Sequence, residues 1–482
     1  MSQSIKVNYI YSLVGTLSGI LFPLITFPYA SRIMEADGMG QINFFSSIIS
    51  YISLFSSIGI PIYAIREIAR VRDDVVEMNK TVIEILLLHT ILTIIGYVAV
   101  AVLCVTVTKI SVDIPLFLIL SLGLLFNAIG CEWFYKGIED FKYITIRGII
   151  VRILYIILLF TCVHSKSDIL LYALITIIGT VGNNVFNFYR LKKYVILKRI
   201  RFNELDLSRH LRPSLRMFAL NLTISLYINL DTVMVGFLKD NAAVGYYGGA
   251  YKITNLLLCI VQALQTAMIP RFSYLAKEGN KDKFDKLVQK VVDFVVTLCI
   301  PMTFGLVVLA PTLICLFCGP SYIPAIVTLR IMSPIIIMIS LSGIACFQIL
   351  YPLGREDIAI WSTATGAMAN LAICFILIAT YGHNGGAMAT LIGETTVTIT
   401  MFLYGRKYIH VKYRSIHYLN CIVGSIIMFA VLWGLLQLEF KDWQNLIILP
   451  ITGILIYSAF LYIRKDDLFM YLLEIVIKNR FK

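Results

Sequence analysis

Runs of about twenty apolar residues recur along nearly the whole chain, from Tyr9 to Ile463. A helix that crosses the ~30 Å hydrocarbon core of a bilayer needs one such run per crossing. The stretch Leu21–Asp74 shows the pattern in miniature. One apolar segment ends, a short turn follows, a second apolar segment runs to Pro61, and a basic loop closes the stretch. Pro23, Pro28 and Pro61 lie inside or at the ends of the apolar runs. In water they would argue against helices. In a membrane neighbouring helices and hydroxyl side chains satisfy the freed carbonyls, so the first two helices are expected to be bent or broken. Composition agrees: 59% of residues are hydrophobic, 14% are charged and the mean hydropathy is +0.84. Soluble domains are closer to a quarter charged. The first run, 9–30, is too long for a signal-peptide core and lacks a small-residue cleavage site, so it is expected to stay as a transmembrane helix.

Fourteen spans are expected, at about 9–30, 41–63, 82–107, 114–135, 144–163, 168–189, 214–238, 244–270, 289–318, 324–351, 358–380, 386–404, 417–438 and 446–463. An even count puts both termini on one side. Of the 41 Lys and Arg, 33 fall at the termini, in the connections on that side, or beside the adjoining span ends. Only Arg32, Lys109, Lys166, Lys239 and Lys441 fall in the opposite connections, and Arg152, Lys252 and Arg330 lie inside spans. This bias places both termini in the cytoplasm. The +13 net charge is therefore a topology signal first and an anionic-lipid contact second, with no nucleic-acid partner implied. The loop Arg190–Arg216 is long and basic enough to lie on the membrane surface.

The two halves resemble each other weakly. IGIPIYAIREIARVRDD (Ile58–Asp74) and TAMIPRFSYLAKEGNKD (Thr266–Asp282) both place Ile-Pro at a cytoplasmic helix end, then Arg, then a charged helix-like loop. Pro61 and Pro270 are 209 residues apart, and Gly40 and Gly245 are 205 apart. Parallel repeats of six spans follow. The fold expected is all-α and polytopic, with two pseudo-symmetric six-helix lobes around a central cleft and two extra C-terminal helices. The expected division is 1–212 for the first lobe and its basic linker, 213–412 for the second lobe, and 413–482 for spans 13 and 14 and the tail.

The opening segment FPLITFPYASRIMEADGMGQINFFSSIISY, followed by GIPIYAIREIARVRDD, resembles the Wzx-type polysaccharide-biosynthesis flippases. Their superfamily also holds the MATE drug exporters and the murein-precursor flippase. EWFYKGIEDFKYI (Glu132–Ile144), NLDTVMVGFL (Asn229–Leu238), GAYKITNLL (Gly249–Leu257) and LRIMSPIIIMISLSGIACFQILYPLGRE (Leu329–Glu356) extend the likeness over spans 1–12. Spans 13 and 14 add no motif. The resemblance implies a two-lobed bundle that carries undecaprenyl-pyrophosphate-linked oligosaccharide units across the bacterial inner membrane. It also implies membrane lipids and a polysaccharide polymerase as partners. A MATE-like multidrug exporter is the alternative with the same fold; Asp231 and Glu394 keep it open, while span 1 lacks an acid.

Ionisable groups at membrane depth are costly unless they face a partner or water, so each is a candidate. Arg330, early in span 10, is either a cationic cleft wall for pyrophosphate or a structural, snorkelling group. Lys252 and Asp231 lie about equally deep on either side of the turn at Lys239–Ala243, which suggests an ion pair that substrate competes for. Arg152 and Glu132 are expected to face each other, mostly as structure. Glu394, beside Gly393 and the threonines of Thr395–Thr398, is either a proton carrier or a hydrogen-bonded acid in a polar seam. Arg32 and Arg66 close opposite ends of the first hairpin and either meet pyrophosphate or anchor at headgroups. Glu84 and Asp293 read as interfacial. Several Gly, Ser and Asn residues in the spans either permit close helix packing or line a sugar path.

Enzyme chemistry finds little support. No GxxxxGK[ST] phosphate loop occurs, and the six histidines show no ligand spacing. Cys315 and Cys318 are the one close cysteine pair, and without a second pair they read as small hydrophobes. No cofactor and no metal is expected. With no nucleotide site, transport is expected to draw on an ion gradient.

Overall fold

The computed structural model describes residues 5–195, 205–411, 414–438 and 440–480. Among the described residues every regular element is a helix. The chain divides into two compact units, 1–244 and 245–482. It is a multi-pass membrane protein: eleven helical stretches of described residues are long and apolar enough to cross a bilayer, or twelve if the bent pair 166–181 and 183–191 is one span.

The first unit contains α1 (Ile5–Ser57), α2 (Ile60–Val71), α3 (Val75–Thr106), α4 (Thr108–Ser111), α5 (Ile114–Ala128), α6 (Glu132–Gly137), α7 (Phe141–Cys162), α8 (Ile169–Val181), α9 (Asn183–Leu191) and α10 (Ser208–Leu238). α1 is two helices joined at Glu35, whose φ of 56° and ψ of −174° interrupt the helical ladder. That left-handed φ is costly for any residue with a Cβ. It falls in the connection expected between spans 1 and 2, and Lys166 of the α7–α8 connection pairs with Glu35 at 2.5 Å. Pro61 sits in the first turn of α2, where its missing N–H is harmless. Asp74, Asp113 and Asp140 accept backbone N–H bonds at the starts of α3, α5 and α7. One apolar cluster, including Ile60, Ile68, Val82, Ile85, Phe134 and Tyr135, packs α2, α3 and α6 together.

The second unit is built from α11 (Asn241–Glu278), α12 (Lys281–Phe317), α13 (Ala325–Met332), α14 (Ile335–Gly343), α15 (Glu356–Tyr381), α16 (His383–Gly405), α17 (Ser415–Leu436), α18 (Asp442–Ile463) and α19 (Asp467–Arg480). α14 runs directly into a π-helical turn, Ile344–Leu350. α15 and α16 form a hairpin that requires Gly366: a Cβ there would lie 2.2 Å from Val397 Cγ2 and 2.9 Å from the Gly393 carbonyl oxygen. Small residues permit such backbone approach between membrane helices. Val308, Met428, Leu432, Leu449 and Leu461 bind α12, α17 and α18 into one cluster.

The repeat seen in the sequence has unequal results. Ahead of Pro61 the chain breaks at Ile58 and Gly59, both with positive φ. Around Pro270, α11 continues unbroken to Glu278.

Candidate functional site: buried and exposed charges of the two units

The expected pairing of Glu132 with Arg152 is replaced by two separate contacts. Glu132 bonds Arg147 Nη2 at 3.0 Å and Lys136 Nζ at 2.9 Å. Arg147 is almost wholly buried and also donates to Asn187 Oδ1. Asn187 in turn donates to the Gly130 carbonyl at 2.7 Å and accepts Tyr135 O–H through its own carbonyl, also at 2.7 Å. Arg152 turns the other way, to the Gly15 carbonyl at 3.1 Å and to Ser18 Oγ on α1. The reason is helical phase. Arg147 and Arg152 are five residues apart, about 500° of rotation, so they leave α7 in different directions. Sequence reading did not single out Arg147, yet it is Arg147 that Glu132 engages.

Arg32 and Arg66 are exposed, on the first arm of α1 and on α2. Asp231 is buried on α10, within electrostatic reach of Tyr51. In the second unit Lys252 presents an exposed side chain on α11, its ammonium interacting with the buried Cys318 thiol. Asp231 and Lys252 thus belong to different units. Arg330 of α13 donates from Nε to the Val307 carbonyl at 3.2 Å and lies 5.6 Å over the Trp433 ring, which ties α13 to α12 and α17. Glu394 is buried on α16, where Thr398 bridges the Glu394 and Met338 carbonyls at 2.9 Å each.

Two polar clusters were not foreseen. In the first, fully buried Glu84 accepts from Arg209 Nε at 2.8 Å and from the Asp206 N–H at 2.7 Å, and meets His210 Nε2 at 2.8 Å. Arg209 reaches on to Glu77 at 2.7 Å and Thr81 at 3.1 Å. The other ring nitrogen of His210 lies 2.7 Å from Tyr63 Oη. Burial, with Arg209 beside it, holds the His210 imidazole below the usual histidine range despite Glu84. A neutral ring fits this geometry, with Nε2–H donating to Glu84 and Nδ1 accepting from Tyr63. In the second cluster, His417 Nδ1 lies 2.9 Å from Asp466, while Asp293 accepts from Tyr418 at 3.0 Å and Gln289 at 2.7 Å. Matching residues by membrane depth, the logic applied to Asp231 and Lys252, would have set Glu84 and His210 at the same end of their helices. Reading Glu84 as merely interfacial, and His210 only for ligand spacing, hid the pair.

Among the described residues no group of three His, Cys, Asp or Glu is placed to hold a metal ion. Cys315 and Cys318 are free thiols. Buried Glu84, Arg147, Asp293 and Asp466 are paired and hydrogen-bonded, which suits them to holding helices in place. The exposed cations are the groups suited to an anionic ligand.

This helical architecture is shared with transporters of the MOP superfamily. The chain aligns with a solved structure of the lipid II flippase MurJ at a TM-score of 0.77, with 14% identity, over 95% of this chain and 99% of that one. An inward-facing multidrug resistance MATE family transporter gives a TM-score of 0.61, with 16% identity, over 84% of this chain and 95% of that one. The polysaccharide biosynthesis protein family model matches residues 5–276, and the chain belongs to that family. The MatE family model also matches, over residues 217–376. A protein of Escherichia coli (strain K12) provisionally named an O-antigen transporter is 26% identical over 84% of this chain and 97% of its own length. A glycan biosynthesis flippase so named with similar reserve in Haloferax volcanii is 24% identical over 48% of this chain and 49% of its own.

Proposed function

We propose that this protein is a flippase that moves undecaprenyl-pyrophosphate-linked oligosaccharide units across the bacterial inner membrane for surface polysaccharide synthesis. The observation that carries this reading is the family match over residues 5–276, supported by the O-antigen transporter relative that spans most of the chain. The Lys and Arg bias supports cytoplasmic termini. Fourteen spans follow if the bent pair 166–181 and 183–191 is one crossing, the two arms of α1 are two, and α10 is one more. Two lobes, 1–212 and 213–412, then rock about a central cleft, with 413–482 as an addition. No bond is made or broken, so the protein is a transporter and not an enzyme. A polymerase acting on the exported unit is its natural partner.

In this mechanism the lipid-linked sugar enters from the cytoplasmic leaflet while its polyprenyl tail stays in lipid. Arg32, Arg66, Lys252 and Arg330 hold the pyrophosphate, since guanidinium groups bond such oxyanions in pairs. Arg32, Arg66 and Lys252 are exposed and suit this role better than Arg330. Arg330 has commitments to Val307 and Trp433 that a substrate would have to compete with. Asp231 and Glu394 are the acids through which an inward ion gradient resets the carrier, with Glu132 and Arg152 fixing helices of the first unit.

Complementation tests this. In a bacterium lacking its own flippase for a matched sugar unit, the wild type restores surface polysaccharide. Arg66→Ala or Lys252→Ala abolishes it at normal expression, while Arg330→Ala retains part. Full flipping in vesicles with all gradients collapsed would sink the coupling claim. The MatE match over residues 217–376 favours a second reading, a cation-coupled drug exporter. That reading predicts dye or drug resistance without restored polysaccharide.

A further inference from the structure

Between the start of α7 and α9, a groove of about 530 Å³ opens on the flank of the first unit. Lys142, Arg147, Arg190 and Lys193 line it, against the single carboxylate of Asp140. Asp140 is already engaged: it accepts the Tyr143 N–H at 3.3 Å and pairs with Arg190 at 2.8 Å. The Arg190 guanidinium is also stacked 3.8 Å over the Tyr143 ring, so it is held in place. Arg147 has a side chain only 6% exposed and is committed to Glu132 and Asn187, with only its Nε lacking a partner among the described residues, so the unneutralised charge of the groove rests on its lysines. The ammonium groups of Lys142 and Lys193 are exposed and have no ion-pair partner among the described residues. The groove thus holds more positive charge than its own acid can neutralise.

Its far wall is of another kind. Ile146 and Ile150 stand one helical turn apart on α7, with Phe186 opposite on α9, and all three are exposed. A cationic mouth beside an apolar wall along a span matches an amphiphile with an anionic head. The basic end of α7 is the end that the Lys and Arg bias assigns to the cytoplasm.

We propose that this groove binds an anionic phospholipid of the cytoplasmic leaflet. Its phosphate lies between Lys142 and Lys193, and one acyl chain runs along Ile146 and Ile150. Polyprenyl pyrophosphates share this chemistry of phosphate on hydrocarbon. The volume suits a glycerophosphate head with the first part of a chain; a pyrophosphate carrying several sugar rings exceeds it. The proposal concerns lipid binding and stands apart from the transport reading.

The test uses the full-length protein, purified and delipidated, with bound lipid counted by native mass spectrometry. Phosphatidylglycerol, phosphatidylcholine and sugar-free polyprenyl pyrophosphate are offered in turn. The wild type is expected to retain phosphatidylglycerol over phosphatidylcholine. Lys142→Ala with Lys193→Ala weakens that retention about twenty-five-fold, a factor of about five for each cation removed near a phosphate. Lys281→Ala with Lys286→Ala removes the same charge elsewhere and changes it by less than about twofold. Ile150→Trp fills the wall, leaves the charge intact, and is expected to weaken retention as well. Equal loss in the two lysine variants, or no preference over phosphatidylcholine, overturns the site. Tighter binding of the polyprenyl pyrophosphate overturns the phospholipid assignment and gives the groove to the transported lipid.

Discussion

Glu84 and Asp466 do the same job in different units, and they do it with different resources. Each holds a buried histidine and, through it, a segment that leaves the main bundle. Glu84 fastens Asp206–His210, the chain just ahead of α10, to α3. It works with a guanidinium in direct contact, and it accepts from backbone, arginine and histidine at once. Asp466 fastens the α18–α19 junction to His417 at the start of α17. There a second acid, Asp293, takes the Arg414 guanidinium at 3.6 Å, while Asp466 meets His417 and Asn420. A carboxylate that serves as the hub of a network fails as a unit, whereas paired acids fail in parts.

The largest effect should therefore come from the hub. Glu84→Ala removes the acceptor shared by Arg209, His210 and the Asp206 N–H, leaving Arg209 on Glu77 and His210 on Tyr63, and is expected to cost about 3 kcal/mol, roughly 1 kcal/mol for each hydrogen bond lost. Thermal unfolding of the purified protein measures it, and a loss no greater than that of Asp466→Ala would break the contrast. Asp466→Asn keeps the shape and one acceptor oxygen, so a smaller loss of about 1–2 kcal/mol is expected in the same assay. Acidity separates the clusters further. Because the folded His210 ring titrates below the usual 6.5, the unfolded chain binds the proton more readily. The stability His210 contributes is complete above pH 6.5 and is lost as pH falls below it. Amide exchange at Ser208–His210, corrected for its intrinsic pH dependence, should rise on acidification through that window, and His210→Gln should flatten the rise. The smallest effect belongs to Tyr63→Phe, which removes one hydrogen-bond partner from His210 and is expected to cost about 1 kcal/mol. A larger loss would mean that Tyr63, not Glu84, positions the ring.

Much of the architecture was legible because a bilayer imposes a coarse rule, about twenty apolar residues per crossing, that sequence satisfies visibly. The connection between spans 1 and 2 was legible, and the structure breaks α1 there, at Glu35. Which side chains meet was not, because a pairing depends on helical phase as well as depth. Glu132 and Arg152 were expected to face each other, yet the roughly 140° that separates Arg147 from Arg152 around α7 gave Glu132 to Arg147. Arg330 could be placed near a span end from sequence. Its contact with Trp433 joins residues 103 positions apart, and no local pattern carries that information. The Ile-Pro repeat shows the same limit, since equal words broke the helix at Gly59 and left α11 whole.

The π turn at Ile344–Leu350 fits one residue more into the helix than an α-helical path of the same rise would hold. Gln348, inside that turn, bonds the Gln265 carbonyl at 3.2 Å, and Gln265 bonds back to the Ser340 carbonyl at 2.7 Å, so both flanks of the bulge are pinned to α11. Inheritance would read such a place unusually. Elsewhere in a membrane helix, loss of a single codon rotates every later side chain by about 100°. Here the helix ends at Leu350 and a turn over 351–354 follows before α15, so a codon lost within the wide turn alters the connection to α15 and leaves no later turn of this helix to rotate.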